Sequence, residues 1–338
     1  MKLLLSASVL FVNSYVLLLA SALATALTTP FATAQAQTAP YPNKPIKLMV
    51  GFAPGGAADY VARTVGDSLA RALGQPIVIE NRAGAGSSIA AEAVAKAAPD
   101  GYTVLIASPS AISVNPALMP KLGYTPRDLA PVSKVTSSPL VIAAHPGSGI
   151  QSVKDLIDKA KKSPGVLNYA SSGNGSAPHL GAALFSQVAG VQMVHIPFKG
   201  GGPAIQSVVA GDTHITFGTP PSVLPMVQAG RLKGLAVTTR DRTPLVPDMP
   251  GMSEAGLPEF AIEFWYGFFV PAGTPPAVIK RLYDATVIAL QQPQVKAALA
   301  REGTEVSLSP SPEAFASFLA EDAKFWGKLV KDAGVKAE

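Results

Sequence analysis

The sequence predicts an α/β protein of two lobes, each built on its own sheet. Short β-rich runs alternate with amphipathic helical segments from Pro45 onward, and a second series of this kind begins at Pro139. The 338 residues, 48% of them hydrophobic, are enough for two cores. Only 14% of the residues are charged, which argues against disorder. Strands that alternate with helices are typical of largely parallel sheets with right-handed crossovers.

The N-terminus has the pattern of a secretory signal peptide. Lys2 is the only charged residue before Lys44, and an apolar run between them is followed by the small residues of FATAQAQ. We expect cleavage after Ala36, so that residues 1–36 are the signal peptide. The alternative is an uncleaved membrane anchor, because the apolar run is long enough to span a bilayer. The chain contains no cysteine and therefore no disulfide framework. We expect a periplasmic protein.

The first lobe begins with a βαβαβ unit. Strands are predicted at residues 45–51, 76–82 and 102–108, each closed by Gly, Ser or turn residues. Between the first two strands, Val61, Val65, Leu69 and Leu73 recur at every fourth position, which predicts a helix that ends at Gly74. A second helix is predicted over 89–98.

The second series and the C-terminal part complete the two lobes. Strands are predicted at 139–146, 166–172, 193–198, 214–218 and 232–239, with helices at 153–162, after Ser176 and at 204–210. A last strand, EFWYGFFVPAG, leads to helices that start near Pro276 and Pro312 and are expected to pack on the first lobe. We therefore predict lobe 1 from residues 41–142 plus 265–338, and lobe 2 from residues 143–264.

Four loops rich in Gly and Ser follow predicted strands and open helices. They are GFAPGGAAD from Gly51, SPSAISVNP from Ser108, SSGNGSAPHL from Ser171 and FKGGGPA from Phe198. At the carboxyl ends of strands, such loops line the ligand crevice of an open α/β sheet, and helix N-termini present free N–H groups to anions. Each loop alone could simply be a tight turn. Four of them, divided between two lobes, predict the two walls of a binding cleft.

Other chemistries are less well supported. Gly84 and Gly86 imitate a dinucleotide fingerprint, but Ile89 stands where the third glycine is needed. A Walker phosphate loop and a Gly-x-Ser-x-Gly elbow are absent from the sequence, and the scattered Lys and Arg residues form no stripe for nucleic acid despite the net charge of +5. A catalytic triad assembled from distant residues stays open. We expect neither a cofactor nor a metal, because the four histidines show no ligand spacing: His145, His179, His195 and His214.

Six motifs in the same order resemble the Bug family, the periplasmic solute receptors of tripartite tricarboxylate transporters. They are FAPGGAAD, VIENRAGAGSSIAAEAVAKAAPDGYTVL, NYASSGNGSAPHL, VHIPFKGGGPA, PPSVLPMVQAGRLKGLAVTT and WYGFFVPAGTP. The similarity extends from about Tyr41 to the end of the chain. It implies a type II periplasmic-binding-protein (Venus flytrap) fold that holds a small carboxylate between its lobes and hands it to membrane permease subunits.

The resemblance also implies which residues bind the ligand. Backbone amides of 52–58 and 173–179 would hold one carboxylate, and 108–115 and 199–204 would complete the wall. Asp59 would orient ligand or water, or else interact only with the helix dipole. His179 would donate to a carboxylate or serve in packing. The predicted site is Phe52, Pro54, Gly55, Gly56, Ala57, Asp59, Ser108, Ser110, Asn115, Gly173, Asn174, Ser176, His179, Lys199, Gly201, Gly202 and Ala204.

Two departures from the family pattern bear on the ligand. Phe198 stands where many relatives have Tyr, and Gly218 stands where relatives often carry Asp. Without that Asp, a ligand ammonium has no partner, which favours plain mono- or dicarboxylates over amino acids. We expect a monomeric receptor that closes on its ligand about hinges at 140–145 and 263–268 and delivers it to a transporter or a sensor kinase. The alternative function is a secreted hydrolase or isomerase acting on a small carboxylate derivative.

Overall fold

A computed structural model describes residues 41–119 and 121–332. The predicted signal peptide lies outside these residues. Across the described part of the chain, no helix is both long and apolar enough to cross a membrane.

The described residues form two sheets flanked by helices. The strands are β1 (Ile46–Val50), β2 (Ile77–Asn81), β3 (Thr103–Ala107), β4 (Leu129–Pro139), β5 (Val141–Ala144), β6 (Asn168–Ser171), β7 (Val194–Pro197), β8 (Ile215–Gly218), β9 (Lys233–Val237), β10 (Glu263–Pro271) and β11 (Glu305–Val306). The helices are α1 (Ala57–Leu73), α2 (Ser88–Ala95), α3 (Asn115–Leu118), α4 (Val153–Lys162), α5 (Ala177–Ala189), α6 (Gly201–Ala210), α7 (Pro220–Gln228), α8 (Pro276–Gln291), α9 (Pro293–Arg301) and α10 (Pro312–Asp332).

The first lobe is a six-stranded sheet in the order β11-β4-β10-β3-β1-β2. Strand β1 runs parallel to both β2 and β3, which confirms the predicted βαβαβ unit. Helix α1 buries the apolar face that its four-residue period predicts: Val61 and Val65 are fully buried, and Leu69 is 3% exposed. Strand β10 returns antiparallel between β3 and β4 and therefore lies at the centre of the sheet.

The second lobe is a five-stranded sheet in the order β7-β6-β8-β5-β9. Strands β6, β7 and β8 are parallel, as the alternating pattern predicts. Strand β5 instead pairs antiparallel with β8 and β9. Strand β5 follows β4 with only Leu140 between them, so the chain enters the second sheet directly from the first.

The chain passes between the sheets twice, after Pro139 and before Glu263. The predicted lobe boundaries and hinges lie at these crossings and remain predictions. Helix α10 adds a further link. Phe315 near its start packs in a first-lobe cluster, whereas Trp326 near its end packs in the cluster that holds Phe185 of the second lobe. The expectation that the C-terminal helices pack on the first lobe is therefore incomplete for α10.

Candidate functional site

A cavity lies between the lobes at the carboxyl ends of β1, β3, β6 and β8. The space between atoms here is about 460 Å³, part of which is open to solvent. The first lobe contributes Phe52, Gly56, Ala57, Ala58, Ser108, Ser110 and Tyr266. The second lobe contributes Ser172, Ala177, Pro178, Gly201, Ala204, Ile205, Thr216, Gly218, Thr219 and Ser222.

Helix α7 begins at the cavity with Pro220 and Pro221, which have no N–H group to offer a ligand. Three other helices begin there without a side-chain cap. Their N-cap residues are Gly56 for α1, Ser176 for α5 and Gly200 for α6, and none of these side chains accepts a hydrogen bond from the first turn. Helix α4, which starts elsewhere, is capped in the usual way, because Ser152 Oγ accepts from Asp155 N at 3.0 Å. First-turn N–H groups have no partner within their own helix, so both lobes bring free donors to the cavity.

The two lobes touch at the mouth of the cavity. The backbone N–H of Ala53 donates to Lys199 O at 3.1 Å. A Cβ atom placed on Gly56 would lie 3.3 Å from Gly201 N, so the N-termini of α1 and α6 meet only because both positions lack side chains. The conformation is therefore closed, and these contacts join loops from opposite lobes.

The cavity has both apolar and polar lining, and none of the residues that the structure shows lining it carries a formal charge. Its polar side chains are hydroxyls, and Lys199 is exposed and not among the lining residues. Over residues 41–119 and 121–332, no group of three or more His, Asp or Glu side chains could hold a metal ion. The arrangement therefore suits an anion held by backbone dipoles and hydroxyls rather than by a guanidinium or a metal.

The structure brings part of the predicted site together. The predicted residues that line the cavity are Phe52, Gly56, Ala57, Ser108, Ser110, Gly201 and Ala204. Pro54, Gly55 and Lys199 are exposed at its mouth, and Gly202 lies beside them, because a Cβ on Gly202 would be 3.3 Å from Pro54 O. The remaining predicted residues are not among those that line the cavity, namely Asp59, Asn115, Gly173, Asn174, Ser176 and His179. Contact of any of them with a ligand stays a prediction.

Asp59 supports the first loop. It is 5% exposed, and its carboxylate accepts hydrogen bonds from Gly55 N (3.1 Å), Asn81 Nδ2 (3.0 Å) and Arg63 Nε (2.9 Å). Burial alone would raise the pKa of Asp59, but the hydrogen bonds from Arg63, Gly55 and Asn81 outweigh burial and hold that pKa below its usual range. The carboxylate thus fixes the loop that leads into α1.

Asn115 and His179 hold two other loops in place. Asn115 Nδ2 donates to Gly86 O (3.0 Å) and Ser88 Oγ (2.7 Å), and a Cβ on Gly175 would lie only 2.2 Å from Asn115 Oδ1. His179 Nδ1 accepts from Gly175 N at 3.0 Å. Backbone of the second lobe therefore packs directly on a first-lobe side chain at this point.

Ser171 and His195 form a close pair that resembles a nucleophile and its base. Ser171 Oγ lies 2.6 Å from His195 Nε2, but it also accepts from Gly173 N at 3.1 Å. Ser171 is fully buried and does not line the cavity. Burial lowers the pKa of His195 to about 4, and its ring stacks on His179 with centroids 3.9 Å apart. The pair therefore serves to hold the 171–175 loop.

Several lining residues were missed in the sequence. Ser172, Ala177 and Pro178 fall within a quoted loop without having been singled out, and Thr216, Thr219 and Ser222 belong to β8 and α7. Thr219 followed by two prolines is a helix-start pattern that would have located α7. Ile205 and Tyr266 complete the missed set, whereas Ala58 falls within the predicted loop 52–58 and Gly218 was named as a departure that bears on the ligand. Tyr266 lies in an aromatic strand, where the sequence alone does not indicate which ring faces the cleft.

Comparisons with known proteins agree with this geometry. The model of the Tripartite tricarboxylate transporter family receptor matches residues 61–335. Protein BugT of Bordetella pertussis is 38% identical over 298 residues, which cover 88% of this chain and 91% of BugT. The structure of the periplasmic binding protein BugD has a TM-score of 0.83 at 31% identity and covers 88% of this chain and all of that one.

A third similar protein was solved with a ligand. The structure of Rpa4515 from R. palustris with adipate has a TM-score of 0.84 at 32% identity, and it covers 88% of this chain and 99% of that one. The predicted type II periplasmic-binding-protein (Venus flytrap) fold is confirmed by these structural neighbours. The chain therefore belongs to the Bug family, the receptors of tripartite tricarboxylate transporters.

Proposed function

We propose that this protein captures a small carboxylate in the periplasm by closing its two lobes, and delivers it to the permease subunits of a tripartite transporter. The observation that carries the proposal is the meeting of three uncapped helix N-termini, from both lobes, around a cavity whose described lining has no charged side chain. Free first-turn N–H groups with the helix dipole behind them favour a bound anion. The adipate in the R. palustris relative supports the choice of a carboxylate.

The same lining favours plain acids over amino acids. A bound ammonium group needs a carboxylate or several acceptors, and the described lining includes neither Asp nor Glu. Gly218 lines the cavity at the position where the family pattern often has Asp. The ligand is therefore a mono- or dicarboxylate without a positive charge.

Closure follows from the way the lobes share the site. Donors on both lobes reach one ligand only when the lobes are together, so binding favours the closed state. The crossings at 140–145 and 263–268 flex as the hinges. In the closed state the lobes also gain the hydrogen bond from Ala53 N to Lys199 O.

A panel of acids tests the proposal. Succinate should raise the melting temperature of the full-length mature protein without being consumed, because a ligand at 100 times its Kd stabilises the folded state by about 2.7 kcal/mol. Aspartate, glutamate and benzoate complete the panel in isothermal titration. Preferential binding of aspartate or glutamate would contradict the charge argument. Turnover of a carboxylate ester or amide would instead support the hydrolase.

Gly56→Leu tests the first loop directly. The new side chain would begin 3.3 Å from Gly201 N and fill the space between the lobes, so we expect affinity to fall more than about tenfold. Folding should be little affected, because Gly56 has an extended backbone (φ −94°) that other residues adopt. Ala70→Leu, on the same helix outside the cavity, is the matched control. Unchanged affinity in Gly56→Leu would remove this loop from the site.

A further inference from the structure

The first lobe presents three hydroxyls to the cavity in addition to its backbone donors. Ser108 and Ser110 follow β3, and Tyr266 lies on β10. Gly267 pairs with Ala107 and Phe268 with Ile106, so Tyr266 and Ser108 occupy the next positions along two neighbouring strands. We call Ser108, Ser110 and Tyr266 the first-lobe hydroxyls.

None of the first-lobe hydroxyls has a hydrogen-bond partner among the described residues. Ser108 Oγ and Ser110 Oγ are buried and unpaired, in residues that are 3% and 0% exposed. Tyr266 is 8% exposed, and its hydroxyl makes no hydrogen bond to a described residue. Buried tyrosine hydroxyls normally find a partner, and leaving a buried polar group unpaired is costly.

Three of the four second-lobe hydroxyls at the cavity differ in this respect. Thr216 Oγ1 donates to Ala170 O at 3.3 Å, and Thr219 Oγ1 lies 3.4 Å from Ser222 Oγ. Ser172 of the second lobe also lines the cavity, and its hydroxyl has no hydrogen-bond partner among the described residues. The first lobe therefore supplies three of the four cavity hydroxyls that are free to bind a ligand. Burial also raises the pKa of Tyr266 well above its usual range, so the phenol keeps its proton throughout the pH range in which the protein works.

We propose that Tyr266 and Ser108 bind an oxygen substituent of the ligand other than the carboxylate held by the helix N-termini, so that the receptor selects acids with a second oxygen function. This inference rests on the proposed function. The three helix N-termini already supply N–H donors for one carboxylate. Hydroxyls both donate and accept, so they suit a ligand hydroxyl, carbonyl or second carboxylate. A bare hydrocarbon chain would leave them unpaired, and sites built to hydrogen-bond a substrate reject such analogues.

Three four-carbon acids separate the possibilities, namely butyrate, 4-hydroxybutyrate and succinate. The mature protein should bind the last two about tenfold more tightly than butyrate. Tyr266→Phe should remove most of this preference, because it should lower the affinity for succinate and 4-hydroxybutyrate much more than the affinity for butyrate. Its melting temperature without ligand should stay the same or rise, because the hydroxyl has no partner to lose. Tyr283→Phe is the matched control, since its hydroxyl donates to Ser309 O at 2.9 Å, away from the cavity.

The possible outcomes are distinct. Equal loss of affinity for all three acids would mean that Tyr266 serves the anchoring carboxylate, which overturns the inference. Unchanged affinities in both Tyr266→Phe and Ser108→Ala also overturn it, as does a lower melting temperature of ligand-free Tyr266→Phe. If the wild-type protein bound butyrate as tightly as succinate, the inferred selection would be wrong, whereas the proposed function as a carboxylate receptor would still hold. Binding of none of the three acids would count against the proposed function itself.

Discussion

Polar side chains near the cavity fall into two groups, those that already have hydrogen-bond partners within the protein and those that have none. Asp59 and Asn115 form hydrogen bonds to the backbone of the loops around the cavity. His195 is neutral at pH 7 beside Ser171, because burial lowers its pKa to about 4. Ser108 and Ser110 are buried without partners. Hydrogen-bonded groups rigidify the loops, whereas the unpaired hydroxyls can still donate to or accept from a bound ligand. A polar residue at the site thus either holds a loop in place or is available to contact the ligand, and its hydrogen bonds within the protein distinguish the two roles.

Asp59→Asn should destabilise the protein by about 1–3 kcal/mol, because three hydrogen bonds to a buried carboxylate are weakened. The pKa of Asp59 in the folded state lies below its unfolded value of about 3.9, so its stabilisation is complete above that pH and is lost as the pH falls through the folded pKa. The stability difference from wild type should be constant between about pH 7 and 5 and shrink below about pH 4. Urea unfolding at a series of pH values measures it.

Asp67→Asn is the control for this prediction. Asp67 lies on the same helix α1, where it is exposed, so its substitution should change stability by no more than about 0.5 kcal/mol at any pH in the series. A stability difference for Asp59→Asn that persisted undiminished at pH 3 would show that the ionised carboxylate is not what holds the loop.

The N-termini of helices also differ in whether a side chain of the protein caps them. Ser152 and Ser176 are both serine N-caps, but only Ser152 Oγ accepts a hydrogen bond from its first turn. Ser176 Oγ is buried without a partner. The helix at the site thus forgoes the usual stabilisation of its N-terminus, and its first-turn donors stay uncapped by their own chain.

Ser152→Ala and Ser176→Ala should therefore differ in their cost. Loss of the Ser152 cap should lower the free energy of unfolding by about 1 kcal/mol. Ser176→Ala removes a hydroxyl that caps nothing, so the change should stay within about 0.5 kcal/mol. Equilibrium unfolding in urea measures both variants. Equal losses would indicate that Ser176 does cap α5 in solution.

Some elements could be predicted from the sequence and others could not, for physical reasons. Strands β1, β2 and β3 are short apolar runs closed by turn residues, and their loops carry the glycines that close approach requires. Strand β4 (LAPVSKVTSSP) has no apolar alternation, because it buries Ser133 and Thr136 and is held by pairing with β10. Tyr266 could not be predicted as a lining residue, because its position at the cavity depends on the register of β10 against β3.

In the whole molecule, the lobes are joined by helix α10 in addition to the two chain crossings. Asp322 in the middle of α10 accepts hydrogen bonds from Ser113 Oγ (2.5 Å), Trp265 Nε1 (2.9 Å) and Trp326 Nε1 (3.1 Å). Ser113 belongs to the segment after β3 that includes the cavity residue Ser110. Helix α10 therefore links the cavity loop of the first lobe to the core of the second. Any hinge motion must keep this helix packed or repack its end.

Gly303→Ala tests whether closure can be weakened from outside the cavity. Gly303 follows α9 on the first lobe, and a Cβ there would lie 2.7 Å from Pro220 Cβ and 3.0 Å from Leu224 Cδ1 on the second. The added methyl should hold the lobes apart and reduce the closed population, so affinity for the tightest-binding acid should fall about tenfold in isothermal titration. Gly256→Ala shares the left-handed backbone (φ +84° against +64°) but meets no neighbour, so it should lose stability and keep its affinity. Equal affinities in the two variants would mean that the contact at Gly303 does not limit closure.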